Sequence, residues 1–228
     1  MKIYKTILIV VLIFIIGCTP KIQEDTDMAH EHITLTTSDD FHIEADFYNS
    51  NSSKSLILLH QLSMTKQSWK AFSQKALAKN YNVIAIDLRG HGQSQGLYQE
   101  MTDEDFPKSV NDVKAAKNYL QLVHSDSKIS IIGASIGANL AAKFSNEDDI
   151  VLLSPGLNYR GITTENDIKN AKKRVLIIVA KGDTYSYSSS LKLKQLNPNV
   201  ELKVLDGSEH GVKMLTPEIE EEIFKWLG

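Results

Sequence analysis

One serine lies in a context where its hydroxyl could act as a nucleophile. Residues 133–137 have the sequence Gly-Ala-Ser-Ile-Gly, which follows an apolar run at 129–132 and precedes a helix-forming stretch at 138–144. A G-x-S-x-G pattern between a strand and a helix predicts a tight turn that lifts the serine above the sheet. The alternative is a glycine-rich turn whose serine only caps the helix. The flanking segments favour a nucleophile at Ser135.

A serine hydroxyl is a poor nucleophile at neutral pH and needs a general base. His210 is the one histidine that follows Ser135 in the chain, and it lies between a strand candidate at 200–205 and a predicted helix at 217–227. A loop at that place can reach back across the strand ends to the serine. The alternative is an ordinary histidine of a surface loop. We expect His210 to be the base.

Such a base needs a carboxylate that holds the histidine in one tautomer and stabilises its charged form. Asp183 comes shortly after the apolar run 175–179, so we expect it at the same sheet edge as the serine. The other strand end where an acid could stand has the sequence Ser-Pro-Gly at 154–156 and offers no carboxylate. Asp206 is close to the histidine in sequence, but we interpret it as a turn residue. The predicted acid is Asp183.

Acyl transfer also needs hydrogen-bond donors for the oxyanion, and backbone amides supply them in many enzymes. The amide that follows the nucleophile belongs to Ile136, and a second donor usually comes from the loop after an early strand. The apolar run 56–59 leads into His60, Gln61 and Leu62. We therefore predict Leu62 as the second donor and interpret His60 as a structural residue of that loop.

The segments that must position these residues alternate between strand and helix patterns. Short continuous apolar runs are typical of strands that are buried on both faces of a parallel sheet. They occur at 56–59, 83–86, 129–132, 150–153 and 175–179, and alternating patterns occur at 41–47 and 200–205. Helical patterns occur at 69–78, 106–123, 138–144 and 217–227. This order predicts an α/β fold with a mostly parallel sheet covered by helices on both faces.

Residues 33–228 resemble the α/β-hydrolase superfamily, and specifically its serine esterase-like members with a small cap. The resemblance is carried by the elbow around Ser135, by Gly182-Asp183, by the segment around His210 and by Asp87-Leu88-Arg89-Gly90-His91-Gly92-Gln93-Ser94. It implies the chain order serine, acid, histidine and no cofactor, and it implies that His91 is structural. The chain departs from the family at Gln61, where the family usually has glycine, so the loop backbone beside Leu62 is expected to be altered.

The same resemblance implies the reaction. Residues 156–174 leave room for only one helix and a loop as a cap, so we expect an open site, with 185–190 at the border of the pocket. The expected function is cleavage of a small ester or related acyl substrate by a Ser-His-Asp acyl-enzyme mechanism. The alternatives are a non-catalytic, membrane-tethered binding lipoprotein and a peptidase or amidase of the same fold.

The first residues differ from the rest of the chain. Lys2 and Lys5 precede an apolar run at 6–16, which is typical of a secretory signal. The run is shorter than the roughly 20 residues that a spanning helix needs. Cys18, the only cysteine, follows two residues after the run, in a sequence that resembles the bacterial lipobox. We expect lipidation at Cys18 and an exported, membrane-anchored lipoprotein of the bacterial cell envelope.

Composition sets the remaining expectations. The chain has 228 residues, with 42% hydrophobic and 23% charged residues and a net charge of −3, and it has no basic tract, so nucleic acid is not an expected partner. His30-Glu31-His32 lacks further ligands at recognisable spacing, so we expect a polar linker there and no metal. The predicted organisation is a signal peptide at 1–17, a lipidated N-terminus and tether at 18–32, and one hydrolase domain at 33–228.

Overall fold

The structure, a computed structural model, describes residues 30–228, and its centre is an eight-stranded sheet. The sheet contains β1 (Glu31–Thr36), β2 (His42–Tyr48), β3 (Lys54–Leu59), β4 (Asn82–Ile86), β5 (Lys128–Ala134), β6 (Asp149–Leu153), β9 (Val175–Ala180) and β10 (Glu201–Leu205). A separate two-stranded hairpin consists of β7 (Asn158–Tyr159) and β8 (Ile162–Thr163).

The strand order is β1-β2-β4-β3-β5-β6-β9-β10. The strands from β4 to β10 in that order run parallel to one another, and β1 and β2 are antiparallel to their neighbours. The chain goes from β3 outward to β4 and then back across β3 to β5. Ligands of open α/β sheets bind at the carboxyl ends of the strands beside such a reversal. The loops after β3, β5 and β9 all leave the sheet at that edge.

Helices cover both faces of the sheet. They are α1 (Lys70–Ala78), α2 (Val110–Val123), α3 (Ile136–Ala142), α4 (Glu165–Lys169), α5 (Thr184–Leu196) and α6 (Pro217–Leu227). Short 3₁₀ helices lie at Lys66–Trp69, Tyr98–Glu100, Phe106–Ser109 and Gly211–Met214. Side chains alternate across a strand, so Ile57 joins the core under α2 and α3, whereas Leu58 joins the core under α1 and α6. The predicted fold class is confirmed.

Besides the β7–β8 hairpin, two longer elements were not predicted. The first is β1, which begins at Glu31, inside the segment expected to be a tether, and pairs with β2. The second is α5, whose buried residues include Ser186, Ser189 and Ser190. A helix that buries hydroxyls, which bond to the backbone or to other side chains, has no apolar periodicity in its sequence.

The segment between β6 and β9 is small, as expected. It consists of the β7–β8 hairpin and α4. Within residues 30–228, no helix combines the length and apolarity needed to cross a bilayer. Residues 1–17 and Cys18 lie outside the described residues.

Candidate active site

Ser135 occupies a strained turn between β5 and α3. Its φ is 54° and its ψ is −116°, a backbone conformation that costs a non-glycine residue about 1–3 kcal/mol. Glycines on both sides make the turn possible, because a Cβ on Gly133 would lie 2.1 Å from the carbonyl oxygen of Gly137. A Cβ on Gly137 would lie 2.5 Å from the carbonyl oxygen of Leu59, at the end of β3. The predicted nucleophile is therefore held at the carboxyl edge of the sheet, at the start of α3.

His210 and Asp183 form a hydrogen-bonded pair at the same edge. Asp183 follows β9 and precedes α5, and its Oδ2 lies 2.7 Å from Nδ1 of His210. A carboxylate accepts only, so the imidazole proton lies on Nδ1, and Nε2 is left to accept a proton. Asp206 is fully exposed and pairs with Lys181 instead. Of the two acids weighed for the histidine, the structure brings Asp183 to it.

The loop that carries His210 packs against the elbow. A Cβ on Gly211 would lie 3.4 Å from Cβ of Ala134, the residue before the nucleophile. Ser154, at the strand end that lacks a carboxylate, accepts a hydrogen bond from the amide of Gly211 at 3.1 Å. Among the described side chains, no hydrogen bond joins Ser135 to His210. Such bonds often tighten only when substrate is bound.

The loop after β3 is fixed by a buried histidine. His60 donates from Nδ1 to the carbonyl oxygen of Gln61 at 2.8 Å and accepts from the amide of Leu88 at Nε2, at 3.0 Å. Burial lowers the pKa of His60 to about 4, so the ring is neutral at neutral pH. It therefore acts as a structural bridge, because both ring nitrogens are engaged.

The two predicted oxyanion donors have open amides. In the part of the chain that the structure describes, the amides of Leu62 and Ile136 donate to no protein group. In a trans peptide, the N–H of Leu62 points away from the carbonyl of Gln61, which His60 and the amide of Met64 both hold. The amide of Leu62 is therefore directed away from the two hydrogen bonds that hold the carbonyl of Gln61.

Residues 50–181, more than half of the chain, match the profile of the serine aminopeptidase S33 family of hydrolases. The chain belongs to the S33 family.

Two curated proteins are similar to parts of this S33 protein. An uncharacterized protein of Mycobacterium tuberculosis is 28% identical over 130 residues, which are 54% of this chain and 34% of that protein. The (E)-2-((N-methylformamido)methylene)succinate hydrolase of Acinetobacter baylyi is 32% identical over 63 residues, which are 27% of this chain and 23% of that enzyme. The matched segments thus cover about a third or less of the curated relatives.

Solved structures show the same fold over most of this S33 chain. An esterase of Pyrococcus furiosus is 25% identical with a TM-score of 0.72, and the match covers 88% of this chain and 92% of the other. An alpha-beta serine hydrolase homologue from Coxiella burnetii is 19% identical with a TM-score of 0.72, covering 88% and 99%. The chain therefore shares the α/β-hydrolase fold over 88% of its length.

The β7–β8 hairpin of this S33 protein adds a residue that the sequence analysis missed. The phenol oxygen of Tyr159 lies 2.9 Å from Oγ of Ser186, and its ring meets His210 edge-on with centroids 6.4 Å apart. Burial raises the pKa of Tyr159, while the hydrogen bond with Ser186 acts in the opposite direction. The phenol is therefore neutral, and its ring lies edge-on to His210, the predicted base.

The hairpin is tightly clamped over the site. The hydroxyl of Tyr185 donates to the carbonyl of Asn158 at 2.9 Å and accepts from its amide at 3.0 Å. Gly156 lies under the rings of Tyr159 and Tyr185, since a Cβ there would be 2.7 Å from each. Arg160 at the tip binds Asp103 at 2.6 Å. Tyr185 belongs to the stretch 185–190 that was expected to border the pocket.

Residues 87–94, the Asp-x-Arg-Gly-x-Gly-x-Ser segment of this S33 protein, are held in place by hydrogen bonds and ion pairs. Asp87 accepts hydrogen bonds from the amide and the ammonium of Lys66 at 2.7 and 3.1 Å. Arg89 pairs with Asp112, whose pKa burial raises to about 6. His91 donates from Nδ1 to the carbonyl oxygen of Arg89 and packs on Tyr98. None of these contacts involves the candidate triad, which agrees with the structural role expected of His91.

Metal-binding side chains are not grouped in this part of the chain. Within residues 30–228, no three or more His, Cys, Asp or Glu side chains are arranged to hold a metal ion. His32 instead lies between Glu44 and Asp46, at 2.8 and 3.1 Å.

Proposed function

We propose that this protein is a serine hydrolase that cleaves a small ester or a related acyl substrate through an acyl-enzyme. The observation that carries the proposal is the placement of Ser135 in a strained elbow beside a His210–Asp183 pair at 2.7 Å. Membership of the S33 family supports hydrolysis. The description of the Pyrococcus furiosus protein as an esterase favours an ester.

In the proposed acylation, Oγ of Ser135 attacks the carbonyl carbon while Nε2 of His210 takes the hydroxyl proton. Asp183 holds the ring through Nδ1 and stabilises the imidazolium that forms. The amides of Leu62 and Ile136 donate to the oxyanion of the tetrahedral intermediate. The intermediate then collapses, the bond to the leaving oxygen breaks, and that oxygen receives the proton from Nε2.

Deacylation uses the same groups in reverse order. A water gives its proton to Nε2 of His210 and attacks the ester carbonyl formed on Ser135. The second tetrahedral intermediate collapses, the proton returns to the serine oxygen, and the free acid leaves. In this proposal, residues of the described chain supply every acid, base and hydrogen-bond donor of the two reaction steps.

The small cap favours a small substrate. The ring of Tyr159 on the hairpin lies edge-on to His210, and Tyr185 holds the hairpin in place, so aromatic rings line this side of the candidate site. We expect a short acyl chain to bind between that wall and the loop of Leu62. A long chain would need the hairpin to move, and the bonds at Gly156 and Asn158 oppose such a movement.

Hydrolysis of an amide is the second candidate, because the family is described as a serine aminopeptidase. The same triad attacks an amide, but the leaving amine must then be protonated by His210. A panel of p-nitrophenyl esters of increasing chain length and of aminoacyl p-nitroanilides separates the two. We expect turnover of the short esters, and turnover confined to the anilides would favour the peptidase.

A fluorophosphonate probe tests the nucleophile without knowledge of the substrate. We expect the full-length chain in detergent to be labelled and Ser135→Ala to be unlabelled. His210→Ala should be labelled at least about a hundredfold more slowly, because a serine without its base is a weak nucleophile. A folded wild-type protein that stays unlabelled would make the non-catalytic binding lipoprotein the better proposal.

We also propose that Cys18 carries the membrane anchor of an exported lipoprotein. The support is its position after the apolar run 6–16, in a sequence that resembles a lipobox. We expect the wild type to incorporate labelled palmitate and to partition with membranes. Cys18→Ala should lose the label, whereas Ser135→Ala should keep it. A wild-type protein without label contradicts the anchor and leaves the proposed chemistry intact.

A further inference from the structure

Gln61 stands where the resembled family usually has glycine, and its side chain has a defined partner. Its Oε1 accepts a hydrogen bond from the amide of Val212 at 3.1 Å. The two residues are 151 positions apart in sequence and both are partly buried. Val212 lies two residues after His210. The side chain therefore crosses from the loop of the predicted oxyanion donor to the loop of the predicted base.

Gly211, which lies between His210 and Val212, leaves space for the side chain of Gln61. Gly211 has a φ of 61°, and a Cβ on it would lie 2.1 Å from Oε1 of Gln61. Any residue with a Cβ at position 211 would therefore displace the side-chain amide of Gln61. The amide of Gly211 is itself held by Ser154, so the loop has fixed bonds at two consecutive positions.

The backbone of Gln61 is fixed as well. Its carbonyl accepts from Nδ1 of His60 at 2.8 Å and from the amide of Met64 at 3.1 Å. Because the peptide is planar and trans, these bonds also set the direction of the Leu62 amide. One residue thus holds the oxyanion donor through its main chain and the base loop through its side chain.

We propose that Gln61 is a positioning residue that fixes the loop of residues 60–62, which carries the predicted oxyanion donor, relative to the loop of His210. This inference rests on the function proposed above. Loss of this positioning lets the donor and the base move relative to each other, and small displacements of catalytic groups lower the rate of the chemical step. We therefore expect kcat to fall more than KM rises.

Two substitutions of similar shape separate the hydrogen bond from the packing. Gln61→Met fills the space but offers only a weak sulfur acceptor, whereas Gln61→Glu keeps an oxygen for the amide of Val212. In the full-length protein we expect Gln61→Met to lower kcat on a short ester about 10- to 100-fold, with KM within about threefold. Gln61→Glu should retain kcat within about fivefold of the wild type. Equal kcat values in the two variants would overturn the proposal.

A second measurement needs no substitution. The bond predicts slow hydrogen exchange at the amide of Val212 in the wild-type protein, because that amide must open before it exchanges. Exchange at the rate of an open loop overturns the positioning role of Gln61.

Gln61→Ala, which leaves room for water, is the variant to use if Gln61→Met does not fold.

The failure of this inference can be told from the failure of the proposed function. If the wild type is not labelled by fluorophosphonate, the proposed chemistry fails whatever Gln61 does. If the wild type is labelled and Gln61→Met is labelled at the same rate, only the positioning role fails.

Discussion

At the scale of single residues, His60 makes the stability of the protein depend on pH. The ordinary pKa of histidine is 6.5, and burial lowers that of His60 to about 4 in the folded state. Between these two values the unfolded chain binds more protons than the folded one. The contribution of His60 to stability is therefore full above the higher value and is lost as the pH falls towards the lower.

We expect the free energy of unfolding of the wild type to fall by an amount on the order of 3 kcal/mol from this residue between about pH 7 and pH 4. His60→Gln lacks the titrating ring and should show a smaller fall, although its stability at neutral pH is lower. Urea unfolding of both proteins across this range measures the difference. Other groups, including Asp112, titrate in both proteins and cancel in the comparison. Parallel curves would contradict the assignment.

At the scale of elements, the β7–β8 hairpin brings a neutral phenol next to His210, the predicted base. Tyr159 is held there because Tyr185 binds the hairpin and Gly156 leaves space for both rings. A donor at this place can bond to an oxygen of the substrate as negative charge develops there. A small insertion between two strands can in this way supply a group that the sheet itself lacks.

We expect Tyr159→Phe, which removes only the hydroxyl, to lower kcat/KM on short esters about tenfold, the value of one neutral hydrogen bond. Tyr119→Phe is the matched control, because the ring of Tyr119 packs on Phe47 and makes no contact with the site. Steady-state kinetics of the two variants and the wild type measure the effect. An unchanged or faster Tyr159→Phe would exclude the phenol from the reaction.

At the scale of the whole molecule, the sequence predicts what is local and misses what depends on distant contacts. The elbow at Ser135 and the strand ends before Asp183 and His210 have recognisable patterns within a few residues. The roles of Gln61 and Tyr159 depend on partners far along the chain, which no local pattern encodes. The strand β1 and the helix α5 were missed because their faces are polar.

The direction of β1 has a consequence for where substrate is met. Glu31 begins β1 and pairs with Phe47, which in turn pairs with Ile84, the middle residue of β4. The described chain therefore enters the sheet at mid-height, level with Ile131 of β5 and four residues before Ser135. A strand of this length spans about 20 Å, and the segment from Cys18 to Glu31 reaches at most about 45 Å. With a lipid on Cys18, as proposed above, this reach is about twice the length of a strand, so the candidate site can meet acyl groups at the bilayer surface as well as in the surrounding water.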